Sequence, residues 1–85
     1  MTSVSDLARE VHARLQAAKA HLRMIMEERG LHASDGWTIA ESARETPAGT
    51  AIVLKPLHRR LPAPDDLECV ISIHPDTAAV ESNCP

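Results

Sequence analysis

Phenylalanine and tyrosine are absent from this chain, and Trp37 is its single aromatic residue. The core must therefore be assembled from Leu, Ile, Val, Ala and Met, which bury less area per side chain than aromatics do. One indole is also a poor platform for stacking nucleic-acid bases. Glycine is scarce: Gly30, Gly36 and Gly49 are scattered, each is explained by a turn, and none belongs to a phosphate-cradling loop. No G-x-S-x-G element occurs. His12, His21, His32, His58 and His74 show no metal-ligand spacing, and neither cysteine sits in a C-x-x-C unit, so no metal site and no cofactor are expected.

Long apolar runs are missing as well. None approaches the roughly 20 residues that span a bilayer, and the N-terminal segment, with Asp6 and no continuous apolar stretch, does not match a signal peptide. No membrane association is expected. Cys69 lies in an alternating apolar segment and Cys84 near the C-terminal end. A disulfide between them is compatible with the sequence, but small secreted scaffolds usually carry more cysteines, so reduced thiols and a cytoplasmic location are expected. Basic residues are absent after Arg60: residues 61–85 carry −5, residues 1–60 carry +2, and the whole chain −3. That balance is not the strongly basic one of a dedicated nucleic-acid binder.

What the sequence does contain is one long helix signal, from Ser3 to Gly30. Val4, Leu7, Ala8, Val11, Leu15, Ala18, Leu22, Ile25 and Met26 recur at steps of three and four and form a single stripe that needs cover. Ser3 with Asp6 resembles a capping box, and Asp6 suits the positive end of the helix dipole. Arg29-Gly30-Leu31 predicts a glycine stop, with Leu31 folding back onto Met26. About 26 helical residues would reach roughly 39 Å.

Three strand signals follow within residues 36–74. The polar connection His32–Gly36 leads to Trp37–Ala43, which alternates with period two and places Trp37 and Ile39 on one face. Thr46-Pro47-Ala48-Gly49 predicts a tight reversal. Thr50–Lys55 is a short apolar run that suits a central strand, with pairing expected to lapse near Pro56 because proline lacks the N–H. Leu61–Asp66 is a loop stiffened by Pro62 and Pro64. Leu67–Ile73 alternates cleanly, with Leu67, Cys69, Ile71 and Ile73 together, and His74-Pro75-Asp76 ends it. Residues 75–85 are expected to be a tail or one helical turn. The whole reads as one α+β domain over residues 1–85, a long N-terminal helix on a three-stranded antiparallel β-meander (αβββ) in two layers. The second face of the sheet would be uncovered, with Val70 and part of Ala51–Leu54 pointing to it.

Catalytic candidates fail on geometry. Cys69 and His74 are an odd number apart on a strand and so face opposite ways, which removes a Cys69–His74–Asp76 arrangement, and a buried strand thiol is usually inert. Asp65-Asp66 reads as solvated charge rather than a general acid and base. The expectation is a non-enzymatic interaction or adaptor protein that contacts a protein partner, itself included, as a homodimer. Its candidate interface residues are Ala13, Ala17, Ala20 and Met24, a second helix seam, together with Val70 and Trp37. For Trp37 the main expectation is space-filling between helix and first strand. The alternative is a small regulator that binds nucleic acid or another polyanion through Lys55, His58, Arg59 and Arg60, the densest positive cluster in the chain. Against it stands an ordinary solvated hairpin end.

Overall fold

A computed structural model describes residues 4–85 of the 85-residue chain. The helix α1 runs Val4–Glu28 and is followed by a 3₁₀ turn at Ala33–Asp35 and by four strands, β1 Thr38–Thr46, β2 Gly49–Leu57, β3 Cys69–His74 and β4 Ala79–Asn83. The expected Ser3 cap lies outside the described residues. At its other end α1 stops as the glycine signal predicts. Gly30 adopts φ +78°, the Leu31 N–H donates to the Met26 carbonyl at 2.8 Å, and the Gly30 N–H donates to Glu27 at 3.1 Å. These are the two bonds of a Schellman motif, and Leu31 packs against the cluster that contains Met26.

The strands form one antiparallel sheet in the order β1-β2-β3-β4, so the α+β class and the meander hold while the strand count becomes four. The predicted tail is corrected: Ala79–Asn83 pairs with β3, from Val70↔Asn83 to His74↔Ala79. Val80 is the one buried residue of β4, too little for an apolar period to show. Residues Pro75–Ala78 make the reversal, in which Ala78 takes the left-handed φ of +53°. Strand β2 is central, as expected, and contains Pro56. Its pairing with β3 ends at Leu54↔Cys69, whereas its pairing with β1 continues through Ile39↔Pro56 to Thr38↔Leu57. Pro56 thus lies in strand geometry beyond the reach of β3, where a missing N–H costs no bond to that neighbour.

The register is uninterrupted in all three pairings, so side chains alternate strictly between two faces. On the helix side Leu22, Leu54, Leu67, Cys69 and Ile71 are fully buried, and Ala18, Met26, Trp37 and Val80 complete the cluster. Ile39 packs against it on the same face as Trp37, and the set Leu67, Cys69, Ile71 points inward as predicted. The helical stripe is covered unevenly. Leu7, Val11 and Leu15 are only half-buried and Ala8 is exposed, whereas Ala18, Leu22 and Met26 are buried. Burying Leu22 alone is worth about 1.5–3 kcal/mol.

A second correction concerns the thiols. Cys69 and Cys84 form a disulfide, with Cα atoms 4.3 Å apart. The β3–β4 register, carried one residue beyond Val70↔Asn83, sets them directly opposite each other. That Cα separation suits the closer type of antiparallel pair, which brings two side chains together. The bridge is half a core contact as well: Cys69 is fully buried, and Cys84 packs against the cluster.

Candidate functional site

Two surfaces among the described residues hold the residues singled out in the sequence: a cavity at the end of β2, and the face of the sheet opposite α1.

The cavity has about 500 Å³ and is lined by Asp35, Gly36, His58, Arg59 and Arg60. It owes its shape to His58, which follows β2. Its Nε2–H donates to the Asp35 carbonyl at 2.9 Å, while Nδ1 accepts the Arg60 N–H at 3.0 Å and the Leu61 N–H at 3.1 Å. This pattern assigns the proton to Nε2 and leaves Nδ1 as the acceptor. The imidazole therefore folds residues 58–61 into a tight turn and ties it to the 3₁₀ segment. Gly36, at φ +99°, fits because a Cβ there would sit 3.2 Å from His58 Nε2. In extended chain, Arg59 and Arg60 would point apart; the turn brings both to one cavity. Neither side chain has a hydrogen bond or ion pair among the described residues. Chemically this is a place where two guanidinium forks can meet an oxyanion, with Asp35 also in the lining.

The structure separates the four residues of the predicted basic cluster. His58, Arg59 and Arg60 come together, but His58 spends both nitrogens on the backbone and has none left for a ligand. Lys55 lies away from the cavity, on the open sheet face opposite Ala40. The contribution of Asp35 and Gly36 was not foreseen, since contact across 23 positions leaves no local pattern.

Of the predicted interface residues, Ala13, Ala17, Ala20 and Met24 are all exposed, Met24 at 54%. Three of the four are alanine, which any solvated helix favours. Trp37 is buried, 7% exposed, and its ring centroid lies 4.9 Å from that of His58. It packs in the core cluster and lines a second cavity of about 200 Å³ with Met26, Leu31 and Ile39.

Val70 does lie on the open face, half-buried, and it has company. Alternation puts Ala40, Ser42 and Arg44 of β1, Ala51, Val53, Lys55 and Leu57 of β2, and Ser72 and His74 of β3 there too. Two checks fix which face this is. Glu41 reaches Lys19 of α1 at 3.1 Å, and Ser82 lies 3.4 Å from Arg14 of α1, so their sequence neighbours point away from the helix. Val53 and Val70 are next to each other, paired Cα to Cα, and neither belongs to the helix-side cluster. Val53 falls in the Ala51–Leu54 run expected there in part, whereas Arg44 and Glu81 were missed in the sequence because facing depends on the pairing register.

The paired carboxylate candidate dissolves. Arg29 grips Asp66 with both nitrogens, Nη1 to Oδ1 at 3.1 Å and Nη2 to Oδ2 at 2.7 Å, which ties the end of α1 to the loop before β3. This hydrogen-bonded pairing holds the Asp66 carboxyl below its usual range and raises the Arg29 guanidinium. Among the described residues no group of three or more His, Cys, Asp or Glu is placed to hold a metal ion. No helix among them is long and apolar enough to cross a membrane. No protein-family model, no curated protein and no solved structure matches the chain.

Proposed function

We propose that this chain is a non-enzymatic interaction module that works as a homodimer and presents the helix-free face of its sheet to protein. The observation that supports this reading is the adjacent pair Val53 and Val70, set with Ala40 and Leu57 on a face that no helix or strand among the described residues covers. An 85-residue chain buries only about 60% of the surface its unfolded form exposes, so it has little material to cover both sides of a four-stranded sheet. A contiguous apolar patch with a charged rim is the usual form of a protein-binding surface. The test is sedimentation of the full chain across a concentration series, with Val53→Glu and Val70→Glu as variants. A concentration-dependent dimer that both variants dissolve is the expected result. A strict monomer up to about 1 mM, far weaker than ordinary specific association, overturns the reading.

A second reading, contact with nucleic acid or another polyanion, is favoured by one observation: Arg59 and Arg60 share a cavity and are unpaired. It requires binding that weakens steeply with salt and disappears in an Arg59→Ala/Arg60→Ala variant. The compartment belongs with these proposals. A cytoplasmic location is the expectation from sequence, and the Cys69–Cys84 bridge argues for an oxidising one. Thiol labelling of the protein from intact cells decides between them.

A further inference from the structure

The open face of the sheet carries one pair of opposite charges, Arg44 and Glu81, that its own strand order leaves apart. One row across the four strands reads Arg44, Ala51, Ser72, Glu81, and the adjacent row reads Ser42, Val53, Val70, Asn83. The next row holds Ala40 and Lys55. The register carried one residue past Leu54↔Cys69 sets Glu68 beside Lys55. Bases thus occupy the β1–β2 half of the face and acids the β3–β4 half. Within one copy, Arg44 and Glu81 are three strand spacings apart, about 14 Å, too far for an ion pair. Arg44 and Lys55 make no hydrogen bond or ion pair among the described residues, and Glu81 has only His74, at 3.7 Å.

A two-fold axis parallel to the strands, placed between two such faces, keeps each row level and exchanges left for right. It lays β1 over β4 and β2 over β3 of the other copy. Arg44 then meets Glu81 of the second copy, Lys55 meets Glu68, Ser42 meets Asn83 and Val53 meets Val70, and every contact occurs twice. The alternative axis, in the plane of the sheet and across the strands, lays β1 over β1 and β4 over β4 and gathers like charges. We infer that the open face docks a second copy of this chain about the strand-parallel two-fold, with Arg44 of each copy against Glu81 of the other around a Val53–Val70 centre. Aligned packing of two sheets about 10 Å apart, with strand directions within about 30°, accommodates this arrangement. The inference rests on the homodimer reading above and gives it an orientation.

The face is small. The four-stranded part of it, limited by the five residues of β4, projects to about 19 by 17 Å, well under the roughly 800 Å² per partner of a standard interface. The dimer is accordingly weak, and the charge pairs select its geometry more than they supply its affinity.

Charge exchange tests it. In sedimentation equilibrium on the full chain, Arg44→Glu and Glu81→Arg are each expected to weaken dimerisation about tenfold. The double variant R44E/E81R should recover the parent constant to within about twofold. These are exposed side chains, so circular dichroism should confirm unchanged folding of all three. Single variants without effect, or a double variant no better than the singles, overturn the inference. If Val53→Glu still dissolves the dimer in that case, the sheet-face reading survives and only the orientation falls. A strict monomer overturns both.

Discussion

His58 lies against Trp37, ring centroids 4.9 Å apart and planes tilted by 52°, so the one aromatic side chain of the protein is covered by the residue that folds the arginine turn. Removing the imidazole in His58→Ala deletes three hydrogen bonds to backbone at once. The expected cost is about 1–3 kcal/mol, because the bonds are only part-sheltered from water. Trp37 emission should shift to the red as the indole meets solvent. Fluorescence and thermal melting check this, and unchanged emission would show that the turn holds without His58.

Gly49 opens β2 at φ +150°, and a Cβ there would fall on the Ile73 carbonyl oxygen and 2.8 Å from Pro75 Cδ. Both atoms belong to the neighbouring strand and its turn, which cannot withdraw without breaking the Thr50↔Ile73 pairing. Gly49→Ala should destabilise the protein by at least about 1–3 kcal/mol. Gly30→Ala provides the contrast: its Cβ meets nothing within 4 Å, so only the left-handed backbone is strained. Denaturant titration of the two variants should rank Gly49→Ala as the worse.

The Cys69–Cys84 bridge closes a 15-residue loop that contains all of β4. Cys84→Ser should cost about 3 kcal/mol through the entropy regained by the unfolded chain. Amide exchange should localise the loss to residues 79–83, since β4 buries only Val80 and has little else to hold it. Uniform loss of protection across the sheet would contradict this.

The Arg29–Asp66 pair has a defined pH signature. Its hydrogen bonds lower the Asp66 carboxyl in the folded state, so the pair stabilises the protein at pH above the usual carboxylate range, about 4. That contribution disappears as pH falls through the lowered folded-state value. The melting temperature of the parent should exceed that of Asp66→Asn at pH 7, and the two curves should converge toward pH 3. Both groups are exposed, so the gap is small and shrinks in salt.

How much of this was legible in the chain differs from element to element. Helix α1 could be read nearly to the residue because its stripe repeats over many turns and Gly30 marks its stop in a local pattern. The alternation from Leu67 to Ile73 likewise announced a strand with one buried face. Strand β4 was not legible, because a five-residue edge element with one inward apolar side chain has no period to detect. The disulfide was open in sequence and closed only by the β3–β4 register. The candidate cavity was half legible. The run His58-Arg59-Arg60 is visible as charge, but the part His58 plays as a backbone clamp depends on Asp35, far away in the chain.

Composition and periodicity by themselves determined that this protein is one helix on an antiparallel sheet with an aliphatic core, since burial periods are local properties that any covering element must satisfy. Tertiary structure alone decided which residues share the open face. Strand facing changes with a single step of register, and register is settled only when all four strands pair. Arg44, Val53, Val70 and Glu81 are scattered over 38 positions of chain, and they become one surface because hydrogen-bonded pairing sets them side by side.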